Sequence, residues 1–173
     1  MANESYDQAK KISQEELLER INICLEKMTE DDEFSGALLI AKDGDPLLKK
    51  AIGDASKSYQ IKNKVDTKFN IASVGKIFTG IAIMQLAEQG SLSYEDEVSK
   101  YVGAEWLKPE VASAIQIKHL LTHTSGLGDY FQDAYAQNNV QVFRNLSDYK
   151  TLLADDELAF EPGTRFSYSN SVF

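Results

Sequence analysis

Residues that form cross-links are nearly absent from the sequence. Its 173 residues include one cysteine, Cys24, which excludes an intrachain disulfide and a cysteine-based zinc site. Cys24 follows ELLERINI, on the apolar stripe of a predicted helix. We therefore expect it to be a small core residue and not a reactive thiol.

Positive charge is scarce relative to negative charge. The chain has 18 Lys and Arg against 27 Asp and Glu, for a formal net charge of −9. Non-specific nucleic-acid binding requires a basic face, so a nucleic acid is not an expected partner. The acidic balance does not exclude a small-molecule or peptide substrate.

Long apolar runs are missing as well. The most apolar stretch, IFTGIAIMQLAE, is too short to cross a bilayer and ends at Glu88. The N-terminal MANESYDQAKK has no apolar h-region and does not resemble a signal peptide. These absences predict a soluble protein without a membrane span, either cytoplasmic or exported with its leader removed.

The residues that are present predict a globular fold, with 43% hydrophobic and 26% charged residues. Residues 1–33 contain an amphipathic helix that begins at a capping box, Ser13-Gln-Glu-Glu. Residues 34–53 predict a β-hairpin, in which ALLIA is a buried strand and Asp43-Gly44 is the turn. Pro46 makes the start of the second strand less regular.

Residues 54–173 predict a mainly helical region. A polar and irregular connection, DASKSYQIKNKVDTKF, precedes a helix over about 73–88. The segment IQIKHLLTHTSGLGDY predicts a short helix that stops at a glycine-rich loop. Residues 146–153 predict another short helix, capped by Ser147 or Asp148.

A lysine stands at the head of the apolar helix. Positions i and i+3 share a helix face, so Lys76 is expected beside Ser73. An apolar setting disfavours an ammonium, and a neutral lysine can take a proton from a neighbouring hydroxyl. The serine then becomes a nucleophile for a carbonyl carbon. The spacing and the apolar setting fit equally well a lysine that snorkels at a helix end.

A second S-x-x-K match shows that the spacing is common. Ser147-Asp-Tyr-Lys150 has the same pattern but is polar and follows Asn145. We interpret it as a helix cap and a solvated charge. The apolar run behind Ser73 separates the first match from the second.

An ordered series of segments carries a more specific signal. FSGALLIAKDG is followed by IASVGKIFTGIAIMQLAEQGSLSYEDEVSKYV, IQIKHLLTHTSGL and FEPGTRFSYSN. With Ser73-Val-Gly-Lys76 as S-x-x-K and Tyr168-Ser-Asn170 as Y-x-N, the sequence resembles the serine beta-lactamase-like family: class C beta-lactamases, D,D-peptidases and related esterases. The resemblance implies an α/β (α+β) fold of the beta-lactamase/transpeptidase-like kind and no cofactor.

The resemblance also implies a role for each matched residue. Ser73 is the nucleophile that is acylated, and its backbone N–H is one oxyanion-hole donor. Lys76 is the base or proton relay, and Tyr168 shares the proton transfer and serves the leaving group. Asn170 hydrogen-bonds Lys76 and the acyl side of the substrate. Without the family resemblance, the preferred interpretation of Tyr168 is an ordinary aromatic residue of an extended segment.

Two histidines and one further serine resemble functional residues without the full pattern. His119 and His123 have the i, i+4 spacing of helix-borne metal ligands, but no Glu follows His119 and no third ligand is evident. We expect no metal, and in the family this segment shapes the loop beside the site. Ser125 is not a nucleophile elbow, because His123 replaces the first glycine of G-x-S-x-G.

The sequence departs from the family in its extent. It stops three residues after Asn170, where relatives continue into a half that supplies three strands, a C-terminal helix, a K-T-G or H-x-G motif and the second oxyanion N–H. We expect residues 1–173 to be the N-terminal portion of a single domain that lacks the C-terminal strands of its sheet. Such a chain should be nearly inactive alone, and prone to self-association or to pairing with its missing half.

The expected function is that of a serine hydrolase acting on a beta-lactam, a D-Ala peptide or an ester. The alternative is a non-catalytic binding or interaction module derived from such an enzyme.

Overall fold

A computed structural model describes residues 11–131 and 143–173. The chain forms two compact units that divide between Asn70 and Ile71, and each is described by itself. Residues 1–10, most of the segment on which the absence of a signal peptide was predicted, lie outside the described residues.

The first unit opens with helix α1, Gln14–Glu30. Ser13 caps it as predicted, because its hydroxyl oxygen accepts a hydrogen bond of 3.1 Å from the Glu16 backbone N–H. Leu25 is buried on this helix, whereas Cys24 is exposed. The prediction of a core cysteine was therefore wrong: one residue corresponds to about 100° around a helix, and the packed face is centred on Leu25.

Strands β1, Gly36–Lys42, and β2, Asp45–Ile52, form the predicted antiparallel hairpin. Asp43 and Gly44 both have positive φ, 53° and 90°, as the tight turn requires. The pairing shifts register after Ile40, so that Ala41 lies opposite Pro46, which has no N–H to donate.

The prediction that ALLIA is a buried strand was wrong. Along β1 the side chains alternate, and Leu39 is 60% exposed. Ala37, Leu39 and Ala41 share one face of the strand and are all exposed, so this face of the two-stranded sheet is open to solvent.

The connection after the hairpin is less irregular than predicted. Strand β3, Asp54–Ser56, pairs with β4, Ile61–Lys62. Buried Asn63 ties this pair to the hairpin, because its side-chain amide donates to the Ile52 carbonyl at 2.9 Å and to the Ser35 hydroxyl at 3.1 Å.

The second unit is mainly helical, as predicted. Its α-helices are α2, Lys76–Glu88, α3, Pro109–Ala114, α4, Ile117–Leu121, and α5, Lys150–Leu153. Helix α3 was not predicted. Single 3₁₀ turns occur at Ala72–Gly75, Val98–Lys100, Leu146–Tyr149 and Asn170–Val172.

The core of the second unit lies around α3 and α4. Ile115 is completely buried, and the glycine-rich loop contributes Leu127. The other buried hydrophobic members are Val98, Leu107, Val111, Ala112, Ile117 and Val172.

Helix α2 does not have the buried setting that the sequence predicted. None of its residues is buried, and Ile77 and Phe78 are 60% and 64% exposed. Ile83 packs against the core, but most of this helix is not covered by the described residues of its own unit. The apolar composition of α2 is that of a surface suited to burial, but most of that surface is exposed in this structure.

The segment 159–167, which precedes the Y-x-N motif, pairs through its backbone with the glycine-rich loop and the residues just before it. The Ala159 N–H donates to the Gly126 carbonyl, Gly163 to Thr124, and Ser167 to His123, each at 2.8 Å.

Gly126 is central to this pairing, and we expect Gly126→Ala to destabilise the chain strongly. Gly126 has φ of 82°, and a Cβ there would lie 2.4 Å from the Phe160 carbonyl oxygen. Gly90→Ala is the matched control, because Gly90 has φ of 70° with open space around it. Both changes carry a left-handed penalty of about 1 kcal/mol, and the clash should add about 2 kcal/mol for Gly126→Ala. Urea unfolding measures the free energy of unfolding of both variants. Equal losses would contradict the prediction, because they would show that the loop shifts to accommodate the added methyl group.

Within residues 11–131 and 143–173, none of the helices combines the length and apolarity that crossing a bilayer requires.

Candidate active site

Ser73 and Lys76 lie side by side at the start of α2. Ser73 belongs to the 3₁₀ turn Ala72–Gly75, and Lys76 is the first α-helical residue. The Lys76 Nζ donates to the Ser73 Oγ at 3.4 Å. Ala72 has φ of 45°, a left-handed conformation that is uncommon for a residue with a side chain. The strained position directly precedes the candidate nucleophile.

Tyr168 reaches the same place from the end of the chain. Its phenolic oxygen lies 2.7 Å from the Ser73 Oγ. His123 supports it from behind, because the imidazole packs on the phenol ring with centroids 4.5 Å apart. The imidazole Nδ1 also accepts a hydrogen bond of 3.3 Å from the Ser169 backbone N–H. His123 therefore holds both the ring and the backbone beside it.

Asn170 completes the group. Its side-chain oxygen accepts a hydrogen bond of 2.9 Å from the Lys76 Nζ and lies 3.5 Å from the Tyr168 hydroxyl. The structure thus brings together the four residues that the sequence singled out: Ser73, Lys76, Tyr168 and Asn170. All four belong to the second unit.

Lys76 contributes to the pKa shifts of both aromatic neighbours in the group, Tyr168 and His123. Hydrogen bonding from Lys76, and next from Ser73, lowers the pKa of Tyr168 below its ordinary value of 10.0. Desolvation and the negative charge of Asp129 oppose this shift. Burial, and next the charge of Lys76, lowers the pKa of His123, which favours a neutral imidazole at pH 7. Among the ring and hydroxyl groups of the site, Tyr168 is the one whose anion is stabilised.

The second S-x-x-K match lies apart from this group. Ser147 is exposed, and Lys150 pairs with Glu105 at 3.3 Å while its amine lies 5.0 Å from the centre of the Trp106 ring. The cap residue of this turn is Asn145, so the prediction that Ser147 or Asp148 caps it was wrong. Asp148 is the third residue of the turn, and its carboxylate accepts from the backbone N–H of Asn145 at 2.8 Å, as in a capping box.

The histidines and Ser125 make structural contacts. The His119 Nδ1 accepts a hydrogen bond of 3.2 Å from the Gln116 N–H. In the part of the chain that the structure describes, no cluster of His, Cys, Asp or Glu could hold a metal ion. Ser125 is buried, and its hydroxyl oxygen accepts from the Leu127 N–H at 3.2 Å.

Sequence reasoning missed Asp129, which follows the glycine-rich loop. Its carboxylate oxygens both lie 3.2 Å from the side-chain nitrogen of Asn170. An Asp after Leu-Gly is ordinary loop composition, and no local pattern links it to a residue 41 positions away. We find no signal in the sequence that would have identified it.

The fold agrees with the comparisons to known proteins. The family model described as Beta-lactamase matches residues 23–173. The chain belongs to the beta-lactamase family. This confirms the predicted family and its beta-lactamase/transpeptidase-like fold.

Members of the beta-lactamase family are similar to the chain over most of its length. Penicillin-binding protein 4* of Bacillus subtilis is 32% identical over 155 residues, or 88% of this chain and 33% of the relative. The crystal structure of a penicillin-binding protein from Bacillus halodurans is 37% identical with a TM-score of 0.72, over 86% of this chain and 45% of that one.

A third relative in the family has been studied as a hydrolase. The structure titled "EstCE1, a hydrolase with promiscuous acyltransferase activity" is 28% identical with a TM-score of 0.74, and the match covers 91% of this chain and 44% of that one. The chain therefore spans about a third of the length of the curated relative it matches and less than half of the two solved structures.

The pKa of Tyr168 is open to direct measurement. We expect Tyr168 to titrate below 10.0 and Lys76→Met to move its titration upward, because Lys76 contributes most to the lowering. Carbon NMR of ring-labelled tyrosine measures this, with the signal assigned by its loss in Tyr168→Phe. Lys150→Met is the control, since Lys150 pairs with Glu105 and not with the phenol. An unchanged titration in Lys76→Met would contradict the assignment.

Proposed function

We propose that the protein containing this chain is a serine hydrolase that is acylated on Ser73. The observation that carries the proposal is the contact of one hydroxyl with two proton-transfer groups. The Ser73 Oγ lies 2.7 Å from the Tyr168 oxygen and 3.4 Å from the Lys76 nitrogen. A serine needs such a neighbour to become nucleophilic, because its hydroxyl is unreactive at its ordinary pKa.

The proposed reaction has two acyl-transfer steps. Ser73 Oγ attacks the carbonyl carbon of the substrate, and its proton passes to Tyr168 or Lys76. The C–N or C–O bond then breaks, and the leaving group takes up that proton. Water attacks the acyl ester in the second step, the bond to Ser73 breaks, and its oxygen regains a proton. The Ser73 backbone N–H is one donor to the oxyanion that forms in each step.

The lowered pKa of Tyr168 supports its part as a proton acceptor. A phenol whose anion is favoured by Lys76 can take the serine proton at a lower pH than a free tyrosine. The hydrogen bond from Lys76 to Asn170 supports a further role for Asn170 in holding the lysine, beside contacts to the acyl side of the substrate.

The substrate classes remain a beta-lactam, a D-Ala peptide or an ester. The similar proteins support this set, since their names include penicillin-binding proteins and a hydrolase with promiscuous acyltransferase activity. Reaction with an aryl phosphonate and with a penicillin tests the proposal. Mass spectrometry should place one adduct on the peptide that contains Ser73. A protein that takes up neither reagent would instead favour the non-catalytic binding or interaction module.

We further propose that residues 1–173 are the N-terminal portion of a single domain and need further polypeptide for full activity. The exposed apolar residues of α2 support this, as does an apolar cavity of about 330 Å³ near the site. Leu120, Leu153 and Val172 are among its lining residues. Apolar surfaces of this kind mark association sites. The partner is a second copy of the chain or the C-terminal half of the domain.

The chain alone should therefore self-associate and hydrolyse esters poorly. Losing one oxyanion-hole donor costs on the order of a hundred- to a thousandfold in rate. Light scattering should show oligomers that dissociate in Phe78→Glu, which charges the exposed face of α2. Tyr59→Glu is the control, because Tyr59 is 81% exposed but belongs to the first unit. A monodisperse wild-type monomer with Ser73-dependent ester turnover would contradict this proposal.

A further inference from the structure

Asn170 has a side-chain amide whose two ends face groups of opposite charge. Its oxygen accepts from the Lys76 Nζ at 2.9 Å. Its nitrogen donates to both carboxylate oxygens of Asp129, each at 3.2 Å. The backbone N–H of Asn170 also lies 3.3 Å from the Asp129 Oδ1. One carboxylate thus receives the side chain and the backbone of the same residue.

The chemistry of the two partners determines which way the amide points. A carboxylate only accepts hydrogen bonds, and an ammonium only donates them. With the amide of Asn170 reversed, its NH₂ group would face the Lys76 amine and its oxygen would face the Asp129 carboxylate. The contact with Asp129 would then be repulsive, and so would the contact with Lys76 whenever the lysine is protonated. Asp129 and protonated Lys76 together therefore admit a single orientation.

The Asp129 carboxylate is itself held in place. Its Oδ1 accepts from the Phe131 backbone N–H at 3.1 Å. On either side of it, the loop is bonded to the chain around Asn170: the Ser169 hydroxyl donates to the Gly128 carbonyl at 2.6 Å, and the Tyr130 N–H donates to the Ser171 hydroxyl at 3.1 Å. The loop and the Y-x-N segment are therefore joined by hydrogen bonds on both sides of Asp129.

We propose that Asp129 is a positioning residue that orients the Asn170 amide and thereby holds the Lys76 amine at Ser73. The inference rests on the proposed function, in which Lys76 and Ser73 react. Asp129 does not touch the reacting atoms and acts through Asn170. Residues that orient the ligands of a metal site in the same indirect way change activity by about 10- to 100-fold when they are replaced, and we expect an effect of this order here.

An exchange of the two side chains tests the proposal in the protein that contains this chain. Asn170→Asp places two carboxylates 3.2 Å apart and should lower the acylation rate about 100-fold or more. Adding Asp129→Asn removes the repulsion, because the amide introduced by this change can donate to the new carboxylate while Lys76 donates to its other oxygen. The double variant should recover at least about tenfold of the lost rate.

The matched control is Asp155→Asn, which removes the same charge from an exposed aspartate. Added to Asn170→Asp, it should recover nothing. Asp129→Asn alone should lower kcat about tenfold with little change in KM, because the Asn170 amide then meets a partner that accepts either orientation. It should also lower the pKa of Tyr168, since the charge of Asp129 raises that pKa.

The outcomes separate the two proposals. The role of Asp129 would be overturned if Asp129→Asn and Asp155→Asn restored the acylation rate of Asn170→Asp equally. A wild-type kcat in Asp129→Asn alone would overturn it as well. If Asn170→Asp does not fold, the kcat and Tyr168 titration of Asp129→Asn decide alone. Adduct formation that survives Ser73→Ala would overturn the proposed function instead. In that case the pKa of Tyr168 in Asp129→Asn would still show whether Asp129 acts on the site.

Discussion

Replacing Ser73 by alanine is expected to abolish adduct formation with the phosphonate and penicillin probes and to remove ester hydrolysis by the protein that contains this chain. The methyl group cannot form the acyl ester, so the covalent route is lost and not merely slowed. Removing the nucleophile of a serine hydrolase lowers kcat on the order of 10⁶-fold in a well-studied case. Intact mass and steady-state rates with an aryl ester measure both effects.

The sequence supplies a matched control for this experiment. Ser147 shares the S-x-x-K spacing, but Lys150 pairs with Glu105 and the serine is exposed. Ser147→Ala should therefore keep its adduct and its rate. Labelling that persists in Ser73→Ala and disappears in Ser147→Ala would move the nucleophile to the other motif.

Replacing Lys76 should have the second-largest effect. Lys76 contacts Ser73 and Asn170 and lowers the pKa of Tyr168 more than any other group. Lys76→Met removes all three effects, so the acylation rate should fall about 10²- to 10⁴-fold, the range of general acid–base catalysis. Stopped-flow measurement of acylation separates this loss from later steps.

Lys76→Arg distinguishes two ways in which the lysine can act. Arginine keeps the positive charge but does not lose a proton in proteins. A rate as low as that of Lys76→Met would show that Lys76 transfers protons. A rate much closer to wild type would show that its charge is what matters, with Tyr168 as the proton acceptor. Lys150→Met should leave the rate unchanged, and a comparable loss there would indicate a global effect on folding.

Local signals in the sequence predicted much of the fold. Ser13 caps α1, and Asp43-Gly44 forms the hairpin turn, because each depends on hydrogen bonds or φ angles within a few residues. Burial was predicted badly at Cys24, at Leu39 and along α2. Whether an apolar side chain is covered depends on which surfaces meet it, and that is not a local property.

The residues of the candidate site differ in how far the sequence could predict them. The motifs identified Ser73 and Lys76 as neighbours, because residues three apart on a helical turn share a face. The family resemblance added Tyr168 and Asn170, which no spacing rule connects to Ser73 across 95 and 97 positions of the chain. Asp129 carried no signal, since an aspartate in a loop is common.

The sequence by itself determined the family, through the ordered series of motifs, and most of the helix and hairpin segments, through residue type and short-range spacing. It also supplied the candidates for the reactive groups. The tertiary structure decided that Tyr168 meets Ser73 at 2.7 Å, that Asn170 meets Lys76, and that Asp129 faces the amide between them. The pairing of the segment 159–167 with the glycine-rich loop accounts for the contact between Asn170 and Asp129. Such long-range pairing depends on the packing of the whole unit, which places groups distant in sequence within hydrogen-bonding reach.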